Sequence, residues 1–290
     1  MKRILIIGSE GMLGSALLSS FKGPDIEVIG TDIRAEKNPL DITKPDDTTD
    51  FIKQVRPDVV IHVAAYTDVD GCELNLNDAY LINSEGTKNI ANACKQIGAF
   101  LIYISTDFVF DGNKVMPYIE DDVPSPISIY GRSKLQGEQR VRQLLEQYLI
   151  IRTSWLFGES GKNFVDTIIK KAESGEPLRV VDDQRGSPTY AKDLADAIVA
   201  ILLTAHDVKL TTLHITNSGS CTWYDFAKEI IRGKGMKGVN VEPVSSDQIK
   251  RPAKRPKMSI LDNTRFIKAS GGSLPSWQDA LARYLSSEER

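Results

Sequence analysis

Arg3-Ile4-Leu5-Ile6-Ile7-Gly8-Ser9-Glu10-Gly11-Met12-Leu13-Gly14 is the stretch that decides the fold. Arg3 to Ile7 is a short apolar run that reads as a buried strand. Met12, Leu13, Ala16, Leu17 and Phe21 then recur on one face of a helix. Between them Gly8, Gly11 and Gly14 form a G-x-x-G-x-x-G. Such a turn needs a residue without Cβ, a backbone that can approach a pyrophosphate, and a helix packed tightly on its strand. The helix N-terminus then offers free N–H groups to phosphate. Gly8, Gly11, Met12, Leu13 and Gly14 are therefore candidates for contact with a dinucleotide. A second strand, Glu27 to Asp32, ends in a carboxylate suited to adenosine ribose hydroxyls. Asp32 favours NADH because it repels a 2′-phosphate, whereas Arg34 and Lys37 would hold that phosphate and favour NADPH. Both cofactors stay open.

Further strands follow at Asp58 to Ala65, Phe100 to Thr106 and Tyr148 to Phe157, separated by helical segments at Asn75 to Ile97 and Ser128 to Gln147. Strands apolar on both faces and separated by helices predict a parallel sheet covered on both sides, a doubly wound α/β fold of Rossmann type. Beyond residue 157 the pattern loosens. A helix at Ala191 to Ala205 and a strand at Thr212 to Thr216 stand singly, and the Pro-interrupted basic stretch Lys250 to Lys257 is irregular. Residues 1–157 are read as the dinucleotide-binding domain, with segments near 178–216 partly returning to it. Residues 158–290 are read mainly as a smaller α/β substrate lobe.

Composition removes several classes. Lys and Arg number 36 against 39 Asp and Glu, a net charge of -3 with basic residues scattered, so no nucleic-acid footprint appears. The opening apolar run stops at Gly8, too short for a signal segment, and Ala195 to Ala205 is far below membrane-spanning length. A soluble chain with no membrane partner is expected. Cys72, Cys94 and Cys221 are few and far apart, which fits a reducing cytoplasm and no CxxC metal site.

Tyr130-Gly131-Arg132-Ser133-Lys134 sets a phenol and an ammonium four apart on one helical face. A fixed cation would lower the phenol's ordinary pKa of about 10 toward a useful range for proton transfer. A second such pair, Tyr224 and Lys228, makes the spacing alone indecisive. Tyr130 follows the end of the fourth strand and so reaches the carboxyl edge of the sheet, where this fold binds ligands. Tyr224 opens an aromatic helix in the looser half and reads as packing. His62 reads as a core residue, and His206 and His214 lack partners at metal-ligand spacing. Asp68, Asp70 and Glu73 read as a solvated loop or as contacts near the substrate rather than a cation site.

The glycine turn, Ser105-Thr106 and Tyr130-x-x-x-Lys134 together resemble the extended short-chain dehydrogenase/reductase family. More narrowly, the chain resembles the dTDP-4-dehydrorhamnose reductases. The matching stretches are Leu40-Asp41-Ile42-Thr43, Ala64 to Asp70, Ser105 to Gly112, Arg152 to Gly158, Asp183 to Thr189, and Arg255-Pro256 leading to Ser259. The resemblance implies that Thr106, Tyr130 and Lys134 are catalytic, reducing a sugar C4 ketone with NADPH or NADH. It implies that Asp41 and Ile42 touch the adenine region, that Ala64, Ala65 and Tyr66 line the cofactor groove, and that Asn83 supports the cofactor site. Asp107 and Trp155 would meet the sugar, and Asn163 and Arg255 would hold the diphosphate of a nucleotide-sugar.

Two departures stand out. Phe108 replaces the family's usual tyrosine, and Ser15 stands near where some members use a glutamate to hold magnesium at a dimer interface. No metal is expected, and a homodimer stays open. Dehydratases of this fold resemble Thr-Asp-Glu at the fourth strand, where this chain has Thr106-Asp107-Phe108. That counts against a dehydratase or epimerase. The regulatory subunit of methionine adenosyltransferase is also similar over the whole length, and the intact Thr106, Tyr130 and Lys134 set favours an enzyme instead.

Overall fold

The computed structural model describes residues 1–204 and 211–287, so Ala205 and His206 lie outside the described residues. From the N-terminus, β1 (Lys2–Ile7) leads through the glycine turn into α1 (Met12–Ser20) and β2 (Ile26–Thr31). α2 (Pro45–Val55), β3 (Val59–His62), α3 (Val69–Leu74) and α4 (Leu76–Tyr80) follow, then α5 (Thr87–Ile97), β4 (Phe100–Thr106), α6 (Ile129–Leu144) and β5 (Tyr148–Thr153). The second half carries α7 (Phe164–Glu173), α8 (Ala191–Thr204), β6 (Thr211–His214), α9 (Trp223–Gly233), α10 (Thr264–Ser270) and α11 (Trp277–Ser287). Short strand pairs join Leu178–Val181 to Val241–Val244 and Leu156–Phe157 to Thr189–Tyr190.

The main sheet runs β6-β5-β4-β3-β1-β2, every pair parallel. Its strands carry side chains that are buried above and below, such as Ile6 and Ile61 on one face and Leu5 and Val60 on the other. Each Ile or Leu withdrawn from water in this way contributes roughly 1.5–3 kcal/mol. α1, α8 and α10 cover the first face through Leu17, Ile198 and Phe266, and α2, α5 and α6 cover the second through Ile52, Ile90 and Val141. A separate core gathers α7, α9 and α11 around Ile168, Phe226 and Tyr284. From β1 the chain winds one way to β2 and the other way to β3. The crevice outside the carboxyl ends of β1 and β3 is therefore the place where such a sheet takes a ligand.

Two elements depart from the sequence expectation. The segment expected as one helix from Asn75 to Ile97 is broken into α4, a π-helical turn Leu81–Gly86, and α5. The strand expected to run from Tyr148 to Phe157 stops at Thr153, because Trp155 takes a left-handed φ of 47° that no continuous strand allows. Among the described residues, no helix is long and apolar enough to cross a membrane.

Candidate active site

A single cleft of about 1240 Å³ runs along the carboxyl edge of the sheet, from the glycine turn to Trp155 and Trp223. Its floor at one end is the β1–α1 turn. Gly8 holds φ +99°, and a Cβ there would sit 2.5 Å from the Ala64 backbone nitrogen. A Cβ on Gly14 would sit 2.1 Å from the Gly8 carbonyl oxygen. These are the close approaches that exclude side chains and bring β1, β3 and α1 together. Gly11 is the N-cap of α1 and has no side chain to cap it, so the first-turn N–H groups stay available to an anion. Met12 and Leu13 line the same floor.

Asp32, at the end of β2, is almost fully buried and accepts from the Arg34 backbone at 3.0 Å and from its Nε at 3.3 Å. The Arg34 side chain is otherwise open to solvent, so carboxylate and guanidinium line the same end of the cleft. Asp41, Ile42, Ala64 and Ala65 line the cleft as expected from the sequence. Tyr66 does not. Its ring turns away into a cluster with Cys72, Ala79 and Ile129 beneath Tyr130. Asn83 is also out of the cleft. Its carboxamide accepts from the Tyr66 nitrogen at 2.8 Å and donates to the Tyr66 carbonyl at 3.1 Å and Ser133 Oγ at 3.0 Å. It thus ties the loop after β3 to the helix that carries Tyr130 and Lys134.

That helix, α6, is fixed at its start from two sides. Ser128 caps it by accepting from the Gly131 nitrogen at 3.2 Å, and Glu73 Oε1 accepts from the Ile129 nitrogen at 2.8 Å. Glu73 thereby belongs to the scaffold of the site rather than to a solvated loop. Tyr130 lies partly exposed along the cleft, with its ring edge-on to Phe108 at 5.6 Å. Thr106, at the end of β4, donates to Asp107 Oδ1 at 3.1 Å and accepts from the Phe108 nitrogen at 3.2 Å, and its hydroxyl also bears on the Tyr130 phenol. Burial pushes the phenol above its ordinary range, the Thr106 hydrogen bond opposing and Asp107 adding to the rise. Lys134 lies one turn further along α6. Its Nζ donates to the Ile104 carbonyl at 2.7 Å, over the Tyr103 ring at 4.3 Å, and burial pulls its pKa down to about 7 against the pull of Glu138. Asp107 is 1% exposed, and its Oδ2 makes no hydrogen bond among the described residues. Burial raises it to about 7, although the Ser259 and Thr106 hydroxyls favour its charged form.

At the far end Trp155 stacks on Trp223 with centroids 3.5 Å apart and planes 8° from parallel. The space is there because a Cβ on Gly186 would meet the Trp155 ring at 2.4 Å. A left-handed backbone on a tryptophan is costly and is retained where surrounding structure over-determines it, as at binding sites. Arg255 also lines the cleft, but its guanidinium is already engaged in two bonds to Asp70, at 3.0 and 2.7 Å. Asn163 corrects the expectation outright. It caps α7, accepting from the Asp166 nitrogen and donating to the Gly158 carbonyl and Tyr284 hydroxyl, and it does not line the cleft.

The family model for the RmlD substrate binding domain matches residues 1–290. The dTDP-4-dehydrorhamnose reductase of Aggregatibacter actinomycetemcomitans is 37% identical, over 97% of this chain and 97% of its own. The chain belongs to the dTDP-4-dehydrorhamnose reductase family. The spore coat polysaccharide biosynthesis protein SpsK of Bacillus subtilis is 39% identical, over 98% of this chain and 97% of its own. A crystal structure of dTDP-4-dehydrorhamnose reductase from Bacillus anthracis, in complex with NADP, superposes with a TM-score of 0.92 at 41% identity, covering 99% of this chain and 100% of that one.

Within this reductase family member, Trp223 and Arg251 are among the cleft residues that escaped the sequence reading. Trp223 stands one position before Tyr224, whose pairing with Lys228 drew the attention. Lys228 in fact sits over the Tyr224 ring at 5.1 Å, and neither residue lines the cleft. Arg251 lines the cleft a few residues before Arg255, and nothing in a basic stretch distinguishes one arginine from its neighbours.

Proposed function

We propose that this chain reduces the C4 ketone of dTDP-4-dehydro-L-rhamnose to dTDP-L-rhamnose with NADPH or NADH, in nucleotide-sugar biosynthesis for cell-surface polysaccharide. The observation that carries the reading is the convergence of Thr106, Tyr130 and Lys134 on one cleft with the glycine turn at one end and the Trp155–Trp223 stack at the other. The space that the Gly8 and Gly14 positions keep free of any Cβ fits a pyrophosphate against the α1 N-terminus. Asp32 and Arg34 would meet the adenosine ribose, and Asp41 and Ile42 the adenine region. When bound, the nicotinamide supplies hydride to the carbonyl carbon.

The protein's own contribution is at the carbonyl oxygen. Tyr130, held neutral by burial, donates its proton there, the form that reduction requires. Thr106 hydrogen-bonds the same oxygen and stabilises the charge that develops on it. Lys134, fixed on the Ile104 carbonyl, orients the nicotinamide ribose. Asp107 would meet a sugar hydroxyl, Trp155 the sugar face, and Arg255 the diphosphate, held ready by Asp70. The three cysteines are free and buried, which supports a reducing, cytoplasmic setting.

The test mixes purified protein, reduced nicotinamide and dTDP-4-dehydro-L-rhamnose, and follows loss of the reduced cofactor. Turnover with this keto-sugar and none with the saturated dTDP-glucose is expected. No turnover with the keto-sugar and either cofactor defeats the reading.

A further inference from the structure

Tyr130, Lys134 and Glu138 follow one another at intervals of four along α6, on one face of the helix. Glu138 is 0% exposed. Its Oε1 accepts from Ser105 Oγ at 2.6 Å and from Arg152 Nε at 2.8 Å, and its Oε2 from Arg152 Nη2 at 2.8 Å. Arg142 closes on Oε2 at 3.0 Å. Ser105 and Arg152 are register partners across β4 and β5, and so are the next two residues, Thr106 and Thr153, which line the cleft. One carboxylate therefore joins the helix bearing the proton donor to both strands that end beneath the reacting oxygen.

We propose that Glu138 is a positioning residue: its carboxylate fastens the Tyr130–Lys134 helix to the ends of β4 and β5, and its charge holds the Lys134 ammonium in its charged form. The inference rests on the reading of Tyr130 and Lys134 as the working pair. The groups that face Lys134 make the charge argument. On α6 it is Glu138, one turn on; from β3, His62; from β4, Tyr103 and the Ile104 carbonyl; beyond Glu138 stand Arg152 of β5 and Arg142, and behind Arg152, His214 of β6. His62 and His214 are both pushed toward the neutral form by burial, with the nearby cations adding to the effect. Burial raises the Tyr103 phenol well above its ordinary range, so it is neutral too. Burial would raise Glu138, yet the Arg152 hydrogen bonds and charge, with the Arg142 charge and the Ser105 hydrogen bond, together outweigh it and hold the carboxylate charged. Removing that charge takes away the anion that favours the Lys134 ammonium and leaves the two guanidiniums beyond it, which do not release protons near neutral pH. Lys134 is then the group that gives one up.

The experiment compares wild type, Glu138→Gln and Glu138→Gln/Arg152→Met. It measures kcat against pH, the affinity for NADP⁺ against pH by calorimetry, and the melting temperature. In Glu138→Gln the alkaline loss of kcat and of NADP⁺ affinity should move to lower pH by a unit or more, a tenfold change in the proton equilibrium. The double variant removes both charges, a replacement buried ion pairs generally tolerate. Its alkaline limb should return toward wild type, while kcat stays at least tenfold low because the clamp is gone. An unmoved limb in Glu138→Gln, or wild-type kcat in the folded double variant, overturns the proposal. If the single variant does not fold, the kcat of the double variant decides in the same sense. Failure of the wild type to reduce the keto-sugar would instead refute the assigned reaction, and the NADP⁺ affinity profile would still read Glu138.

Discussion

Replacing Asp107 by asparagine should make the cofactor-free protein more stable at pH 8 than at pH 5, relative to wild type. The carboxyl is buried at the end of β4 and its pKa rises from 3.8 to about 7. A folded-state pKa above the unfolded value contributes stability that is fully present below about pH 4 and is lost as pH rises to about 7. Each unit corresponds to about 1.4 kcal/mol, so the penalty builds by about 3 kcal/mol between pH 5 and pH 7 and then levels off. Asparagine has no proton to lose and escapes it. Its amide leaves one group without a bond where Oδ2 now stands, at a cost of about 1–3 kcal/mol, but that cost is the same at both pH values and cancels in the difference. Lys134 titrates in both proteins and cancels likewise. Urea unfolding of the two proteins at pH 5 and pH 8 measures the effect. A stability difference unchanged between the two pH values would refute the argument that Asp107 is ionised against its surroundings at neutral pH.

Tyr130→Phe should lower kcat by about 10²–10⁴ with NADP⁺ affinity almost unchanged, whereas Tyr224→Phe should be nearly silent; steady-state kinetics that reverse this order would assign the proton donor to the wrong pair. Arg255→Ala should raise KM for the nucleotide-sugar about tenfold with a smaller effect on kcat, since a charge-assisted contact to phosphate is worth ~1.5–3 kcal/mol and lies remote from C4. Lys257→Ala, an exposed neighbour, serves as the control, and equal KM values in the two variants would remove Arg255 from the diphosphate.

The parts of this protein legible in its sequence are those where one residue type is compelled. Gly8 and Gly14 admit no Cβ, and the two-sided burial of β1, β3 and β4 leaves mainly apolar residues for their strands until the carboxyl ends at His62, Ser105 and Thr106. What escaped is what depends on a partner distant in the chain. Glu138 and Arg152 look like ordinary charges on a helix and a strand until the fold closes them on each other 14 residues apart. Asn163 was a ligand candidate by position, yet an asparagine just before an apolar helix is foremost an N-cap. Arg255 was recognised as a cleft cation, but its engagement by Asp70, 185 residues away, has no local signal. Tyr66 missed the cleft because an aromatic after a strand can turn to either side, and the Asn83 carboxamide fixes the backbone that makes the choice.

The place of β6 and α8 has a consequence for how the chain comes to be folded. Both belong by packing to the layers around the glycine turn, β6 against β5 and α8 against α1, although more than forty residues separate β5 from either the end of α8 or the start of β6. A ribosome that has released only the first 157 residues has released a sheet with its β5 edge unpaired and the apolar flank of α1 bare. Open strand edges and uncovered apolar flanks are what chaperones bind and what aggregates grow from. The N-terminal half is thus a nascent-chain hazard that ends only when Leu213 and Ile215 arrive to close it. A fragment cut at the apparent boundary should be insoluble; carrying it through Thr216 pairs the β5 edge and covers α1, while α7 stays bare until α9 and α11 follow.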